Sequence, residues 1–419
     1  MASNPTAKFA EMRGASPEDA KFFWNGGPVE LAERTWFSSM LSGATAFDTD
    51  DGIVLVDAGT AILAPHIAGE IRERTQAPIH TAIFTHGHVD HAYGLPSFVL
   101  PGQDPPRVIA HSAMPARFAR YDATSEHNAA INARQFGGAV DRQQGVDFSY
   151  PEILPDTLYD DELTIEVGGV TFELFHTRGE TDDHTWVYCP DRGVLCPGDL
   201  IIWGVPNAGN PQKVQRYPWD WAAALRAMAD KSPRSLAPGH GGPVVDDPAT
   251  VDAILNETAE LLETIVDRTL AILNDGSPPH VDIVTGIDLP TSTSPWLQPV
   301  YDEAEFIVRN VIRYYGGWFT GRPSELKPAR RDALASTIAE LAGGTTALLD
   351  RADTLADAGD LRLACHLADY ALEAAPDDAA VQERVAAVYD RRADEETGLM
   401  SINIFNSAAA YARDGRPYR

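Results

Sequence analysis

The chain has 419 residues, 44% hydrophobic and 22% charged, an ordinary globular composition and more length than one hydrophobic core usually serves, so two domains are expected. Its 61 acidic against 33 basic side chains give a net charge of −28, a surface that repels phosphates and anionic headgroups and disfavours nucleic acid and membrane as partners. No apolar run approaches the roughly 20 residues of a membrane span. The opening MASNPTAKFAEMRGASPEDAKF has no continuous apolar block, and the three cysteines (Cys189, Cys196, Cys365) are a sparse, odd set, so a cytoplasmic protein with free thiols is expected.

In chain order, GIVLVDAG (52–59) reads as a buried strand ending in a turn, APHIAGEIRERTQ (64–76) as an amphipathic helix, and IHTAIFTH (79–86) as a second strand. Where that strand ends, THGHVDHAYG crowds His86, His88, Asp90 and His91 into six positions. LTIEVGGVTFELFHT (163–177) reads as a hairpin turning at Gly168-Gly169, and TWVYCPDRGVLCPGD (185–199) as another, with Cys189 and Cys196 as packed thiols. PRSLAPGHGGPV (233–244) is a last short strand running into a Gly/Pro loop. From residue 247 the character changes. DPATVDAILNETAELLETIVDRTLAILNDG (247–276) has an N-cap, helical spacing and a Gly stop, and residues 300–419 continue as helices. Residues 346–393 read as three helices with AGD and APDD turns and resemble one and a half tetratricopeptide-type repeats, whose one-sided helical pairs often carry contacts between chains. The predicted division is an α/β domain over 1–246 and an all-α domain over 247–419.

Neutral imidazole and carboxylate are ligands that Zn²⁺ and similar ions take. One short loop cannot comfortably wrap a single ion with four such groups. Assigning His86 and His88 to one ion and Asp90 and His91 to a neighbour makes two half-sites, each wanting ligands from elsewhere in the chain. THGHVDHAYG resembles the H-x-H-x-D-H signature of the metallo-β-lactamase superfamily. That fold is a four-layer αββα sandwich with a one- or two-metal site along the sheet edge. The resemblance implies further ligands from three later loops. TRGETDDH (177–184) puts Glu180 at a slot that usually holds histidine, LCPGDL (195–200) puts Asp199 at the bridging slot, and APGHGGP (237–243) supplies His240. The implied half-sites are His86, His88 and Glu180, and Asp90, His91 and His240, with Asp199 and a hydroxide between two divalent ions, zinc being expected. His176, also followed by TRG, competes for the Glu180 slot. His184 matches a position that orients other groups. Packing roles are expected for His66, His80, His111, His127, His280 and His366.

A glutamate at position 180 resembles the alkyl sulfatase branch, which carries a second glutamate 19 positions later; here that position is Asp199. RNVIRYYGGWFTGRPSELKP (309–328) resembles its YxGWxxGNPxxLxP segment, AGDLRLACHLADYALEAAPDD (358–378) and INIFNSAA (402–409) its helical dimerisation domain, and SEHNAAINARQFG (125–137) its E-N-x-x-x-x-N-x-x-x-R stretch. The resemblance covers most of residues 50–410, and the first 35 or so carry none. The branch usually adds a sterol-carrier-like domain and is often exported; neither feature has a counterpart here, which turns the expectation away from long-chain alkyl sulfates. What the resemblance implies is a homodimeric, dinuclear metal-dependent hydrolase of sulfate monoesters, with Asp90 or Asp199 managing the proton of the attacking water. An anionic ester needs a positive island on so acidic a chain. GNPQKVQRYP (209–218) matches an arginine-bearing loop of the family and offers Lys213 and Arg216, with Asn128 and Arg134 as helpers. Trp203, Tyr217, Trp219, Trp221 and Trp318 could line a pocket, core packing being expected for most. The alternative keeps the dinuclear site and changes the bond to a lactone, thioester, β-lactam or phosphodiester, since PGD stands where the branch has AEN. A scaffold with a relic metal site is disfavoured, because every ligand slot holds a ligating residue.

Overall fold

The computed structural model describes residues 26–136, 148–416 and 418. Residues 1–25, assigned above to the first domain, and Gly137, at the end of the SEHNAAINARQFG segment, lie outside the described residues.

Two mixed sheets stack face to face. The first has seven strands in sequence order: β1 (Gly26–Ala32), β2 (Thr35–Met40), β3 (Ser42–Thr49), β4 (Gly52–Val56), β5 (Ile79–Ile83), β6 (Arg107–His111) and β7 (Thr157–Tyr159). It is an antiparallel meander as far as β4 and parallel from there on. The second sheet comprises β8 (Glu162–Val167), β9 (Val170–His176), β10 (Thr185–Cys189), β11 (Val194–Gly198) and β12 (Ser235–Pro238), antiparallel except for the β11–β12 pair. The helices are α1 (Ala64–Arg72), α2 (Val89–Ala92), α3 (Met114–Ala123), α4 (Ser125–Gln135), α5 (Pro218–Asp230), α6 (Pro248–Asn274), α7 (His280–Gly286), α8 (Ala304–Gly316), α9 (Arg331–Ala342), α10 (Thr345–Asp357), α11 (Leu361–Ala374), α12 (Ala379–Glu395) and α13 (Leu399–Arg413).

Why the first strand run is continuously apolar follows from its place in the layers. Every residue of β4 is buried. Ile53 and Leu55 point to the helix side, among Ile67 and Ile71 of α1 and Phe118 of α3. Val54 and Val56 point the other way, into a core between the sheets with Phe172, Leu174 and Val187. Side chains alternate along a strand, so a strand covered on both faces has no polar position to spare. Phe47 and Phe172 meet edge to face across the sheets, ring centroids 5.1 Å apart. On the far side of the second sheet, Trp186, Tyr188 and Leu195 pack against Trp221 and Leu225 of α5 and Ile254 and Leu255 of α6. The result is a four-layer helix–sheet–sheet–helix sandwich.

Both predicted hairpins form. Gly168 and Gly169 link β8 to β9 with φ of +52° and +73°, the pair of positive angles that a two-residue hairpin turn needs. Cys189 and Cys196 are buried and unpaired. The helices after residue 247 do not share one core. α6 and α8 (Ile307, Val308) close the sandwich core, whereas α9 to α13 bury a separate alanine-rich cluster that includes Leu349, Ala352, Ala364, Ala368, Val385 and Ala386. The AGD and APDD turns act through their aspartates. Asp360 caps α11 by accepting from the Leu363 N–H, and Asp378 caps α12 by accepting from Ala380 and Val381. No helix among the described residues is long and apolar enough to cross a membrane.

Candidate metal centre and its cavity

The donor side chains all lie just beyond the C-terminal ends of strands, where the two sheets meet at one edge: His86 to His91 after β5, Glu180 after β9, Asp199 after β11 and His240 after β12. Strand ends leave backbone free to turn while the sheet holds each turn in place, a good mounting for convergent side chains.

They converge as two sets, His86, His88, Glu180 and Asp199, and Asp90, His91 and His240; within each set the donor atoms lie within 4.8 Å of one another. Asp199 touches both. Its Oδ1 is 3.0 Å from His91 Nε2, and its Oδ2 is 3.3 Å from His240 Nε2 and 3.7 Å from His86 Nε2. His86 Nε2 and His88 Nδ1 are 2.8 Å apart, His88 Nδ1 is 3.9 Å from Glu180 Oε1, and His240 Nε2 is 3.5 Å from Asp90 Oδ2. His91 Nε2, Glu180 Oε2 and Asp199 Oδ1 are buried with no hydrogen-bond partner; the 3.0 Å His91–Asp199 contact lacks hydrogen-bond alignment. Buried polar atoms are almost always satisfied. Orphans that face common points, carried by imidazole and carboxylate, fit divalent cations of the zinc type.

The electrostatics separate the sets. Burial holds the imidazoles of His86 and His88 well below their usual range, with the nearby positive charge of Arg117 adding to the effect at His88. Burial also works against the charged forms of His91 and His240, but the surrounding carboxylates together outweigh it, Asp199, Asp57 and Asp90 raising His91 well above its usual range and Asp199 with Asp90 raising His240 to about 9. Burial likewise pushes the Glu180 carboxyl up to about 8, against the pull of Arg216.

A second tier fixes these groups. Asp57, at the end of β4 with φ +59°, accepts from the Thr85 N–H (2.8 Å) and hydroxyl (2.7 Å), and its Oδ2 meets His91 Nδ1 at 2.8 Å. Asp183 accepts the Gly87 N–H at 2.8 Å, holding the turn between His86 and His88. His240 Nδ1 faces the Leu41 carbonyl at 2.6 Å. Neither Asp57 nor Asp183 was singled out from the sequence. A charged residue closing the buried run VLVD was the available signal for the first; the second sat unremarked inside TRGETDDH. His184 stacks on His86, centroids 4.8 Å apart, with its Nε2 2.9 Å from the Pro197 carbonyl. His176 stacks on His111 at 3.5 Å and belongs to neither set.

A cavity of about 480 Å³ opens beside the donors. Met40, Leu63, Phe136, Phe148, Ile202 and Leu399 give it an apolar wall, while His88, Asp90, Glu180, Asp199, Lys213 and Arg216 form a polar end. Lys213 donates to Asn132 Oδ1 at 3.1 Å, and burial lowers its ammonium to about 7. Arg216, 1% exposed, pairs with Glu180 Oε1 at 2.7 Å, and Asn207 donates to the same oxygen at 2.5 Å. The structure thus brings Lys213 and Arg216 to the donors but not the other two candidates. α4 turns Asn132 and Gln135 to the cavity, whereas Asn128 donates back to the Thr124 carbonyl at 3.0 Å and the Arg134 guanidinium lies over the Tyr418 ring. Nor do the five quoted aromatics line this cavity. Trp203 and Trp221 are core residues whose indoles donate to the Gly242 and Leu200 carbonyls. Tyr217 and Trp219 border a separate, much smaller pocket, and Trp318 is 72% exposed.

Comparison with known proteins agrees with this architecture. Residues 43–240 match the family model described as metallo-beta-lactamase superfamily, and residues 280–415 match the one described as alkyl sulfatase dimerisation. A linear primary-alkylsulfatase of Pseudomonas sp. (strain ATCC 19151) is 25% identical over 378 residues, 85% of this chain and 70% of that protein. An alkyl/aryl-sulfatase of Saccharomyces cerevisiae is 24% identical over 90% of this chain and 62% of its own. The solved structure of a stereoselective inverting sec-alkylsulfatase from Pseudomonas sp. superposes with a TM-score of 0.81 at 21% identity, over 93% of this chain and 66% of that one. The chain therefore spans roughly two thirds of the length of these relatives.

Proposed function

The chain combines a metallo-β-lactamase superfamily domain with an alkyl sulfatase dimerisation domain, and from that premise we propose that it is a dinuclear, zinc-dependent hydrolase of sulfate monoesters. The observation that carries the reading is the pairing of seven donors with a cavity whose lining sets Lys213 and Arg216 beside those donors and adds a group of apolar side chains. Ions held by these donors would supply Lewis acidity and lower the pKa of bound water to about 7. The remaining work falls to the chain's own side chains. Lys213 and Arg216 offset the negative charge of the sulfate and orient it, in a site whose three carboxylates would otherwise repel it. The carboxylates of Asp90 and Asp199 stand at the donors, where a proton leaving the water can be held. Phe136, Phe148 and Leu399 line the apolar part of the cavity, shield it from solvent and receive the alkyl group.

The test is sulfate release from short primary, secondary and aryl sulfates by zinc-loaded protein, with nitrocefin, an acyl-homoserine lactone and bis(p-nitrophenyl) phosphate run alongside. No sulfate from any ester would end the sulfatase reading, and turnover of one of the other three would replace it with that ester class. The helical half supports a homodimer, and three unpaired thiols support a reducing compartment, the cytoplasm.

A further inference from the structure

Under the dinuclear reading, on which this inference rests, the half-sites are matched in donors: each has two imidazoles, one carboxylate of its own and a share of Asp199. Any difference in affinity must then come from what surrounds them, and the surroundings are unlike. We infer that the Asp90–His91–His240 half-site fills first and tightly, and that Arg216 makes the His86–His88–Glu180 half-site the weak, last-filled one.

Glu180 Oε1 is already taken. It receives Arg216 at 2.7 Å and Asn207 at 2.5 Å, which leaves Oε2 as the free donor atom of that carboxylate. A guanidinium stays charged at any working pH. An ion entering at Glu180 would therefore bind a carboxylate whose charge is partly spent, close to a buried positive charge, where low polarity lengthens the reach of the repulsion. Arg216 is not free to swing aside. The same Nη1 also donates to the Glu180 carbonyl, and the arginine backbone carbonyl is held by Asn310 at 2.9 Å.

The other half-site is arranged the opposite way. Asp90 has no lysine or arginine within ion-pair distance among the described residues, only His91 and His240. His91 Nδ1 abuts the Asp57 carboxylate and His240 Nδ1 the Leu41 carbonyl. Partners of this kind fix the ring and make its other nitrogen a better ligand; losing one typically costs about 10- to 100-fold in metal affinity. His86 has the weaker Thr85 hydroxyl in that role, at 3.0 Å. Charge, donor availability and ring orientation all favour the same half-site.

The test is a titration of chelator-stripped full-length protein with Co²⁺, read by ligand-field absorption and by equilibrium dialysis. Two resolved steps, apart by about tenfold or more, are expected. His240→Ala should remove the tight step, and His88→Ala should remove the weak step and leave the tight one in place. Arg216→Gln should strengthen the weak step about tenfold and leave the tight step unchanged, while Arg216→Lys stays like the parent. Two equal steps, or loss of the tight step in His88→Ala, overturns the inference even if Arg216→Gln does not fold. Two resolved steps in a protein that releases no sulfate would leave the loading order standing and remove the sulfatase reading; equal steps in an active sulfatase would do the reverse.

Discussion

Asp57 is the residue whose role the tertiary structure makes plainest. It spends both carboxylate oxygens on Thr85 and one of them on His91 as well, so a single buried acid fixes the backbone after β5 and the ring of a donor. Asp57→Asn keeps the shape but replaces one acceptor oxygen with an amide donor. The expected result is a 10- to 100-fold loss of metal affinity or activity, measured by metal titration and sulfate release, with thermal unfolding little changed. Gly239 makes the second residue-scale case. A Cβ there would stand 2.1 Å from Asp199 Oδ1 and 2.7 to 2.8 Å from the backbone of Gly198 and Asp199. The obstacle is mostly backbone, so it cannot rotate away. Gly239→Ala should displace Asp199 from both donor sets and cut bound metal well below two ions per chain, read by elemental analysis of the purified protein; full occupancy would contradict the bridging role given to Asp199.

Among the elements, the loop between β11 and α5 decides the charge of the cavity, because it carries Asn207, Lys213 and Arg216. It is tied to the helical half by Asp302, a fully buried carboxylate that accepts the Gly209 N–H at 2.7 Å and the Glu303 N–H at 2.7 Å. Burial raises the Asp302 carboxyl to about 7. Its folded-state pKa thus lies above that of an unfolded chain, so between about 4 and 7 the folded protein binds the extra proton. Stability from this group is full below that window and is lost as pH rises through it, by a few kcal/mol at most. Urea unfolding at pH 5 and pH 7.5 should show that decline in the parent and a flatter dependence in Asp302→Asn; equal slopes would show that Asp302 does not titrate there. α4 carries the lesson about legibility at this scale. SEHNAAINARQ has polar side chains all round, so its spacing offers no apolar stripe from which to say which face is inward. Asn128 and Arg134 were reasonable candidates by sequence, yet Asn128, though on the buried face with Ile131, Asn132 and Gln135, sits a turn away from the cavity and bonds back to Thr124, and Arg134 leaves that face for the Tyr418 ring. Asn403 of α13 holds the face by donating to the Gln135 carbonyl at 2.8 Å.

For the whole molecule, the C-terminal helices do two jobs. α13 places Leu399 in the cavity wall and grips α4 while also joining α9 to α12 in burying a core of their own. Leu399→Ala should enlarge the apolar end and lower KM for longer alkyl sulfates relative to short ones, a shift that a chain-length series would read directly. Light scattering should give twice the chain mass of 45.4 kDa, and a monomeric value would remove the dimer proposal. By itself the sequence determined the order of strands and helices and the cluster of His86, His88, Asp90 and His91. The layered fold and the donors Glu180, Asp199 and His240 were legible through the resemblance of its loop motifs to the metallo-β-lactamase superfamily. Strand alternation, paired glycines and aspartate caps are local signals, and metal ligation admits so few residue types that their spacing and loop motifs stand out. Only the tertiary structure decided that Asp57 and Asp183 brace those donors, that Arg216 occupies one oxygen of Glu180, which face of α4 looks inward, and that the helices after residue 247 divide between two cores. These depend on which side chains meet across long stretches of chain, and ordinary acids, amides and alanines carry no local mark of the partner they will find.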